Sequence, residues 1–352
     1  MRQTLPFILN GQAISPGQQG RVFLPITRLY NNTPLDLEVI IEHGRYTGPT
    51  LLVTAAIHGD ELNGVEICRR LLQRQLAAKL HGTLLIVPVV NQLGFIQQSR
   101  YLPDRRDLNR CFPGSARGAL GSRMAAQIRE RLLSQADYAI DLHTGAIHRS
   151  NLPQIRVDID DPEGMRLAQL FNPPLILNAP LREGSFRASS VHSDTPMIVY
   201  EAGEALRFDP KSIRTGERGI RQVMVGLNML PKRSHRSPKV KPVIATRSSW
   251  LRSESDGLLL NHAALGQYLS QGETVATIAS PFVQGQVQQL KAKFDGIVIG
   301  LNHLPVVNEG DAILHIAELN GDPETQSRAA SIQADFDDPN EYFPPIGDNS
   351  IT

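Results

Sequence analysis

Apolar runs of strand length and segments with helical apolar spacing alternate along the first two thirds of the chain. The apolar runs cover residues 50–57, 83–90, 138–142 and 197–200, and two earlier strands are predicted at 21–30 and 35–41. Helical spacing of apolar residues occurs at 62–76, 122–133, 163–170 and 209–230. Continuous apolar runs are typical of strands buried on both faces of a parallel or mixed sheet. The alternation therefore predicts an α/β fold in which helices flank a mixed sheet.

An internal repeat follows in the C-terminal third. Residues 255–260 read Ser-Asp-Gly-Leu-Leu-Leu, and residues 294–299 read Phe-Asp-Gly-Ile-Val-Ile. A Gly-acid pair and then an apolar strand follow each copy, at Gly272-Glu273 and at Gly310-Asp311. Two similar hairpin units predict a small all-β barrel-sandwich module over 243–320, which resembles the lipoyl/biotinyl-type sandwich. Because no Lys lies at a matching hairpin tip, we infer no lipoyl or biotin attachment.

Two shifts in composition suggest domain boundaries. Residues 231–242 are rich in Pro, Ser and basic side chains, which indicates a linker after a domain at 1–235. The alternative, a nucleic-acid-binding patch, lacks the aromatic residues on which bases stack. From residue 321 to 352 the chain is polar and acidic, so we expect a mobile or loosely docked tail there.

Composition argues against several functional classes. Lys and Arg total 36 against 35 Asp and Glu, which gives no field for binding nucleic acid or an anionic membrane. There are only 2 Cys, no secretory signal pattern at the first residues and no apolar run long enough to cross a bilayer. A cytoplasmic location without nucleic-acid or membrane partners is expected, and the oligomeric state has no signature.

Three side chains form a candidate metal site. His58 and Glu61 lie where the strand at 50–57 gives way to a helix, so one turn can direct both towards one point. His143 follows the short strand at 138–142 and completes the three protein ligands that a catalytic zinc usually has. Asp141, two residues before it, is placed to orient a ligand. By itself a His-x-x-Glu pair is more often structural than metal-binding, and the Asp-x-His-x-Gly motif in an alternating α/β chain is what favours a metal site.

Further polar residues extend this candidate site. The loop 100–114 contains Arg100, Arg105, Asn109 and Arg110, and the planar fork of an Arg suits a carboxylate. The alternative for this loop is a solvated basic surface. Glu201 ends the strand at 197–200, where a carboxylate can accept a proton from water and pass it to a leaving amine. Glu204 is the local rival for that role.

Together these motifs resemble the succinylglutamate desuccinylase/aspartoacylase family, a branch of the zinc carboxypeptidase-like clan. The resemblance covers about residues 50 to 204 in four ordered motifs, and the C-terminal β module fits the same family. It implies a zinc-carboxypeptidase-like mixed sheet and one Zn²⁺ per chain, held by His58, Glu61 and His143.

The same resemblance assigns roles to the remaining site residues. Glu201 matches the general acid/base, and Asn109-Arg110 within Asp-Leu-Asn-Arg matches the pair that holds the carboxylate of the substrate. Arg100 resembles the Arg that stabilises the oxyanion, although Arg105 fits the variable spacing too. The implied activity is hydrolysis of the amide bond in a small N-acyl amino acid, with the acyl group and the amino acid left open.

Two other functions remain open at this point. A metallocarboxypeptidase that cleaves short peptides has a similar site, and a non-catalytic binding protein could keep the fold. The other His residues are expected to be surface or structural, with His148 and His192 nearest to a role in the site. Cys111 adjoins Arg110 but has no His partner suited to nucleophilic catalysis, so we expect it to be inert.

Overall fold

The computed structural model describes residues 4–29, 31–232, 241–282, 287–319 and 323–337. Its strands are β1 (Phe7–Leu9), β2 (Gln12–Ile14), β3 (Gln18–Arg28), β4 (Pro34–His43), β5 (Tyr46–Ala55), β6 (His81–Val87), β7 (Tyr138–Gly145), β8 (Arg149–Val157), β9 (Leu175–Asn178), β10 (Met197–Glu204), β11 (Val243–Ala245), β12 (Ser248–Arg252), β13 (Gly257–Asn261), β14 (Tyr268–Leu269), β15 (Thr274–Ala279), β16 (Gln288–Lys291), β17 (Gly296–Asn302), β18 (Val306–Val307) and β19 (Ala312–Glu318).

The helices lie mostly between the strands of the first 230 residues. They are α1 (Asn63–Gln73), α2 (Gln92–Ile96), α3 (Leu120–Arg131), α4 (Pro162–Phe171), α5 (Phe186–Ser190), α6 (Pro210–Gly226) and α7 (Pro323–Asp337), with short 3₁₀ turns at Leu76–Lys79, Leu108–Arg110, Leu133–Gln135 and Val191–Ser193. Both α4 and α6 begin with an Asp-Pro pair. Asp161 and Asp209 accept hydrogen bonds from the free N–H groups of the first turn, and Pro favours the first helical position.

A single large sheet organises the chain. Its order is β12-β19-β17-β8-β10-β7-β5-β6-β4-β3, with β9, β11 and β14 paired off this path. Within it β10, β7, β5 and β6 run parallel, so their carboxyl ends share one edge. Helices α1, α4 and α6 pack on one face, while α3 and the first strands enclose a second core on the other. The predicted mixed sheet flanked by helices is confirmed.

The strands and helices predicted in the first domain are present, with ends shifted by a few residues. Strands β1, β2, β8 and β9 and helices α2 and α5 were not predicted. Strand β8 runs antiparallel to β10 and lies between it and β17, so it connects the two halves of the sheet. A segment that sequence patterns missed therefore lies at the centre of the sheet.

The C-terminal repeat forms corresponding strands. The first copy gives β13 and β15, and the second gives β17 and β19. Strands β16, β15, β13 and β18 form a separate four-stranded sheet that covers its own apolar core, whereas β12, β17 and β19 belong to the large sheet. A separate domain at 243–320 and its likeness to a lipoyl-type sandwich stay predictions.

Part of the acidic tail expected from residue 321 is helical. Helix α7 covers Pro323–Asp337, and its Ala329 and Ile332 are buried against Leu152 and Ile299. The polar composition hid these few apolar contacts. The core of the predicted linker (233–240) and the acidic end from 338 lie outside the described residues. No helix in the described ranges is long and apolar enough to cross a membrane.

His315 occupies a buried position where β12 and β19 pair. Its ring stacks on Trp250 with centroids 4.7 Å apart, and its Nε2 forms a 2.9 Å hydrogen bond with the Ser248 hydroxyl. Its Nδ1 is buried without a hydrogen-bond partner among the described residues. Burial, and then the charge of Arg156, lower the pKa of His315 to about 3. The imidazole is therefore neutral in the folded protein well below neutral pH.

Replacing His315 should change how stability depends on pH. The unfolded chain protonates this His below about pH 6.5 and the folded chain does not, so the wild type loses stability as the pH falls from there towards 3. Relative to His315→Gln, its free energy of unfolding should fall by about 1.4 kcal/mol between about pH 7.5 and pH 5.5. Urea unfolding at both pH values measures this, with the exposed His262→Gln as control. Parallel pH dependence of wild type and His315→Gln would contradict it.

Candidate metal centre and catalytic cleft

Three parallel strands bring the predicted chemistry to one edge of the sheet. His58 follows β5, while His143 lies near the end of β7 and Glu201 near the end of β10. Glu201 and His143 are register partners. Ligands bind outside the carboxyl ends of strands in open α/β sheets, and this edge has that position.

The turn after β5 is unusually constrained. Ala56 has a φ of 49°, a left-handed conformation that is uncommon for a residue with a Cβ. Gly59 packs so closely on α2 that a Cβ there would lie 2.0 Å from the backbone of Gly94. Together these two residues redirect the chain so that His58 and Glu61 both face the sheet edge.

His58, Glu61 and His143 form one buried cluster. The Glu61 carboxylate lies between the two imidazoles, 2.7 Å from His58 Nδ1 through Oε1 and 2.8 Å from His143 Nδ1 through Oε2. Each residue is at most 5% exposed. One ligand atom from each lies within 4.8 Å of the others, which is the spacing of a metal-binding group.

Each imidazole is also held from its far side. His58 Nε2 lies 3.1 Å from Asp107, and His143 Nε2 lies 2.8 Å from Asp141. The Thr54 hydroxyl donates to the other oxygen of Asp141 at 2.6 Å. Metal-ligating His residues characteristically donate their second ring nitrogen to a carboxylate in this way. Both Nδ1 atoms therefore converge on Glu61, and a metal at that point would meet two nitrogens and a carboxylate.

The electrostatics of the cluster depend on Glu61. Burial alone would raise the pKa of its carboxyl, but the charges and hydrogen bonds of both imidazoles hold that pKa well below its usual range. The pKa values of His58 and His143 are raised, because the carboxylates around them outweigh the opposing effect of burial. The pocket thus stabilises positive charge between the two rings, whether protons or a cation supply it.

The Arg residues of the loop differ sharply in position. Arg100 donates through Nη1 to Glu61 at 3.2 Å and through Nη2 to Asp107 at 3.1 Å, so its guanidinium borders the cluster. Arg105 is exposed, with a φ of 65°, and its side chain makes no hydrogen bond or ion pair with the cluster among the described residues. The structure brings Arg100, and not Arg105, to the candidate metal centre.

Asn109 and Arg110 follow Asp107 in the same loop and have different surroundings. The side-chain oxygen Oδ1 of Asn109 accepts a 2.8 Å hydrogen bond from the Phe186 N–H, which fixes the loop against α5. Arg110 is exposed and helps to line a cleft of about 500 Å³, together with Phe112, Glu183 and His192. His192 thus lies near the predicted substrate-binding pair. Cys111 donates its S–H to the Asp107 carbonyl, and burial raises the pKa of its thiol.

Two neighbouring carboxylates have different surroundings. Glu201 accepts a 2.9 Å hydrogen bond from the Asn151 amide and lies 3.5 Å from Arg156. Glu204 accepts from the His148 N–H at 3.0 Å and from the Ser150 hydroxyl at 3.4 Å. His148 therefore contacts Glu204 through its backbone N–H.

Sequence patterns missed three residues of this site. Asp107 was visible in Asp-Leu-Asn-Arg but had no assigned role, although it contacts both His58 and Arg100. Asn151 and Arg156 lie on β8, which mixed polar and apolar residues without a clear period. Their contacts with Glu201 join positions 50 and 45 residues apart, which no local signal could predict.

The fold and the cluster define an α/β protein with a candidate metal centre at the ends of its parallel strands. A family profile described as the succinylglutamate desuccinylase/aspartoacylase catalytic domain matches residues 47–227. Because the match spans more than half of the 352 residues, the chain belongs to this family.

Individual relatives agree with this assignment. The N-alpha-acetyl-L-2,4-diaminobutyric acid deacetylase of Halomonas elongata is 27% identical over 311 residues, which cover 85% of this chain and 87% of that protein. The succinylglutamate desuccinylase of Shewanella denitrificans is 30% identical over 112 residues, 31% of this chain and 30% of that protein.

Solved structures share the fold. A succinylglutamate desuccinylase from a Silicibacter species superposes with a TM-score of 0.76 at 25% identity, covering 86% of this chain and 95% of that one. The product-bound ectoine utilization protein EutE (DoeB) from Ruegeria pomeroyi gives a TM-score of 0.76 at 24% identity, with the same coverage.

Removing the carboxylate behind His143 should weaken metal binding. In Asp141→Asn the His143 Nε2 loses its anionic partner, and loss of such a partner typically costs about 10–100-fold in metal affinity. Zinc titration by calorimetry measures the change. Asp137→Asn, whose carboxylate accepts from the backbone of Thr50, serves as the control. Equal zinc affinity in Asp141→Asn and the control would show that this carboxylate does not support a metal ligand.

Proposed function

We propose that this protein is a zinc-dependent amidohydrolase that removes the acyl group from a small N-acyl amino acid or a related carboxylate-bearing amide. The observation that carries the proposal is the convergence of His58 Nδ1, His143 Nδ1 and the Glu61 carboxylate in one buried cluster. Two imidazoles and a carboxylate form a frequent ligand set of catalytic zinc. A bound zinc ion supplies Lewis acidity, which polarises a carbonyl and makes water more acidic.

Glu201 is placed to move the protons of the reaction. It lies on the strand next to that of His143 and is its register partner, so the two residues come from neighbouring strands at the same edge of the sheet. In the proposed role it accepts a proton from the attacking water and delivers it to the departing amine. Its hydrogen bond from Asn151 and its ion pair with Arg156 orient it for both steps.

Arg100 is the better candidate for stabilising the oxyanion. Its guanidinium already contacts Glu61 and Asp107, so it faces the place where negative charge develops on the acyl oxygen. The contacts with Asp107 also restrict the motion of this long side chain. Arg105 is exposed on the turn and makes no hydrogen bond or ion pair with the cluster among the described residues.

Arg110 and Asn109 are suited to the carboxylate of the amino acid. The side-chain oxygen Oδ1 of Asn109 accepts a hydrogen bond from the Phe186 N–H, which leaves its Nδ2 amide nitrogen on the other side of the side chain. The cleft beside Arg110, at about 500 Å³, has room for an amino-acid side chain. Since the relative from Halomonas elongata is named for a deacetylation of N-acetyl-diaminobutyric acid, that compound belongs among the first substrates to test.

The activity should depend on Glu201. In Glu201→Gln the side chain keeps its size but cannot accept a proton, so kcat should fall about 100–10,000-fold while bound zinc is unchanged. The assay uses N-acetyl and N-succinyl amino acids, with short peptides as the competing substrates. Glu204→Gln, a carboxylate engaged by His148 and Ser150, is the matched control and should keep most activity.

Other outcomes of this assay point elsewhere. Faster hydrolysis of peptides than of N-acyl amino acids would indicate a metallocarboxypeptidase. No turnover of any substrate, together with no zinc binding, would support a non-catalytic binding protein. Substantial residual activity in Glu201→Gln would reject its role.

Substitutions of the two loop arginines, Arg100 and Arg105, should have different effects on kcat in the same assay. Arg100→Gln removes an oxyanion donor, which costs on the order of 100–1000-fold in kcat in such chemistry. Arg105→Gln should stay within about twofold of the wild type, because exposed side chains remote from the reaction contribute little. The opposite ranking would transfer the role to Arg105.

A further inference from the structure

Strand β8 joins the catalytic edge of the sheet to the C-terminal strands. It pairs with β10 on one side, where Gly203 faces Asn151, and with β17 on the other, where Gly300 faces Asn151. The line of register partners across the sheet continues from Gly300 to His315 of β19 and then to Trp250 of β12. Register partners direct their side chains to the same face of a sheet. Asn151 therefore stands between Glu201 and the surface formed by the C-terminal strands.

Gly300 leaves the room that the Asn151 side chain occupies. A Cβ at position 300 would lie 3.2 Å from Asn151 Oδ1, 3.0 Å from the Cβ of His315 and 3.5 Å from Trp250. These distances are at or below van der Waals contact, so the amide of Asn151 rests directly on the glycine. Its carbonyl oxygen lies towards Gly300, and its amide nitrogen donates to Glu201 Oε2 at 2.9 Å.

The second oxygen of Glu201 is held from the same strand. Arg156, five residues along β8, places Nη1 at 3.5 Å from Glu201 Oε1. Gln154, the register partner of Glu201, is completely buried and donates to the carbonyl of Ile299 on β17. The strand that orients Glu201 is thus tied to the C-terminal strands by side chains as well as by its backbone.

We propose that Asn151, resting on Gly300, is a positioning residue for Glu201, so that the C-terminal β strands set the orientation of the catalytic carboxylate. This inference rests on the proposed function, in which Glu201 transfers protons. The uncharged Asn151 amide donates one of its two N–H groups to Glu201 Oε2, so it orients the carboxylate and leaves further lone pairs of that carboxylate for water. A displacement of about 1 Å in a reacting group can cost on the order of 100-fold in rate.

Three variants test this arrangement in the full-length, zinc-loaded protein, on an N-acyl amino acid that the wild type hydrolyses. Asn151→Asp keeps the shape of the side chain but removes the donor, and kcat should fall about 10–100-fold. Gly300→Ala inserts a methyl group against Asn151 and should lower kcat by about tenfold. In both variants we expect KM within about twofold and zinc content equal to the wild type, because among the described residues the contacts of Asn151 and Gly300 include neither the metal ligands nor the lining of the cleft beside Arg110.

Val298→Ala is the matched control for Gly300→Ala. Val298 is buried in the same strand, in the core of the C-terminal sheets. Among the described residues it is not one of the hydrogen-bond partners of Asn151. It should lower thermal stability with kcat unchanged. A loss of kcat in Val298→Ala equal to that in Gly300→Ala would show that destabilisation alone explains the effect and would overturn the proposal.

The outcomes also separate this inference from the proposed function. If Glu201→Gln loses turnover while Asn151→Asp and Gly300→Ala keep the wild-type kcat, the positioning role is rejected and the proposed function stands. If Glu201→Gln itself stays active, the proton-transfer role of Glu201 in the proposed function fails and the inference fails with it. A raised KM at unchanged kcat would assign Asn151 to substrate binding and contradict a positioning role.

Discussion

The buried carboxylate of Glu61 between two imidazoles is the interaction on which the rest of the site depends. A carboxylate that is only 1% exposed is strongly unfavourable unless positive charge and hydrogen bonds compensate it. His58 and His143 supply both, and each reaches Glu61 from a different strand end. The parallel order of β5, β7 and β10 therefore matters chemically, because it brings three residues that are distant in sequence to one edge.

Around this centre the charges alternate in sign. Asp107 and Asp141 lie behind the imidazoles, and Arg100 bridges Glu61 and Asp107. Such a network fixes each side chain through at least one partner other than the candidate metal, which preorganises the ligands. The same principle extends outward to Glu201, whose two oxygens are held by Asn151 and Arg156 on β8. The C-terminal strands reach the site through that strand.

Much of this arrangement follows from sequence and some of it does not. The positions of His58, Glu61, His143 and Glu201 could be predicted, because each lies near the end of a strand that the sequence shows as an apolar run, β5, β7 or β10. The helical spacing of apolar residues in α1 marks where β5 gives way to a helix. Strand β8 was not predicted, since Arg149, Ser150, Asn151, Gln154 and Arg156 interrupt its apolar residues. Its polar residues are explained only by long-range contacts with Glu201 and with β17.

The same limit applies at the C-terminus. The repeat predicted the strand pairs, but the union of β17 with β8 joins segments about 150 residues apart and has no local signature. Helix α7 was not predicted, because its composition is polar. Among its described residues only Ala329 and Ile332 are buried. Local sequence patterns therefore predicted the positions of the site residues. Long-range strand pairing, which those patterns do not show, decides which side chains surround them.

Zinc titration of chelator-treated protein, with hydrolysis of an N-acyl amino acid followed at each addition, is the most direct measurement of whether His58, Glu61 and His143 hold a catalytic metal. We expect turnover to disappear on chelation and to return in proportion to zinc, with full recovery at one ion per chain. Glu61→Gln should bind zinc far more weakly and stay inactive. Full turnover after complete removal of metal, or unchanged zinc affinity in Glu61→Gln, would contradict the account.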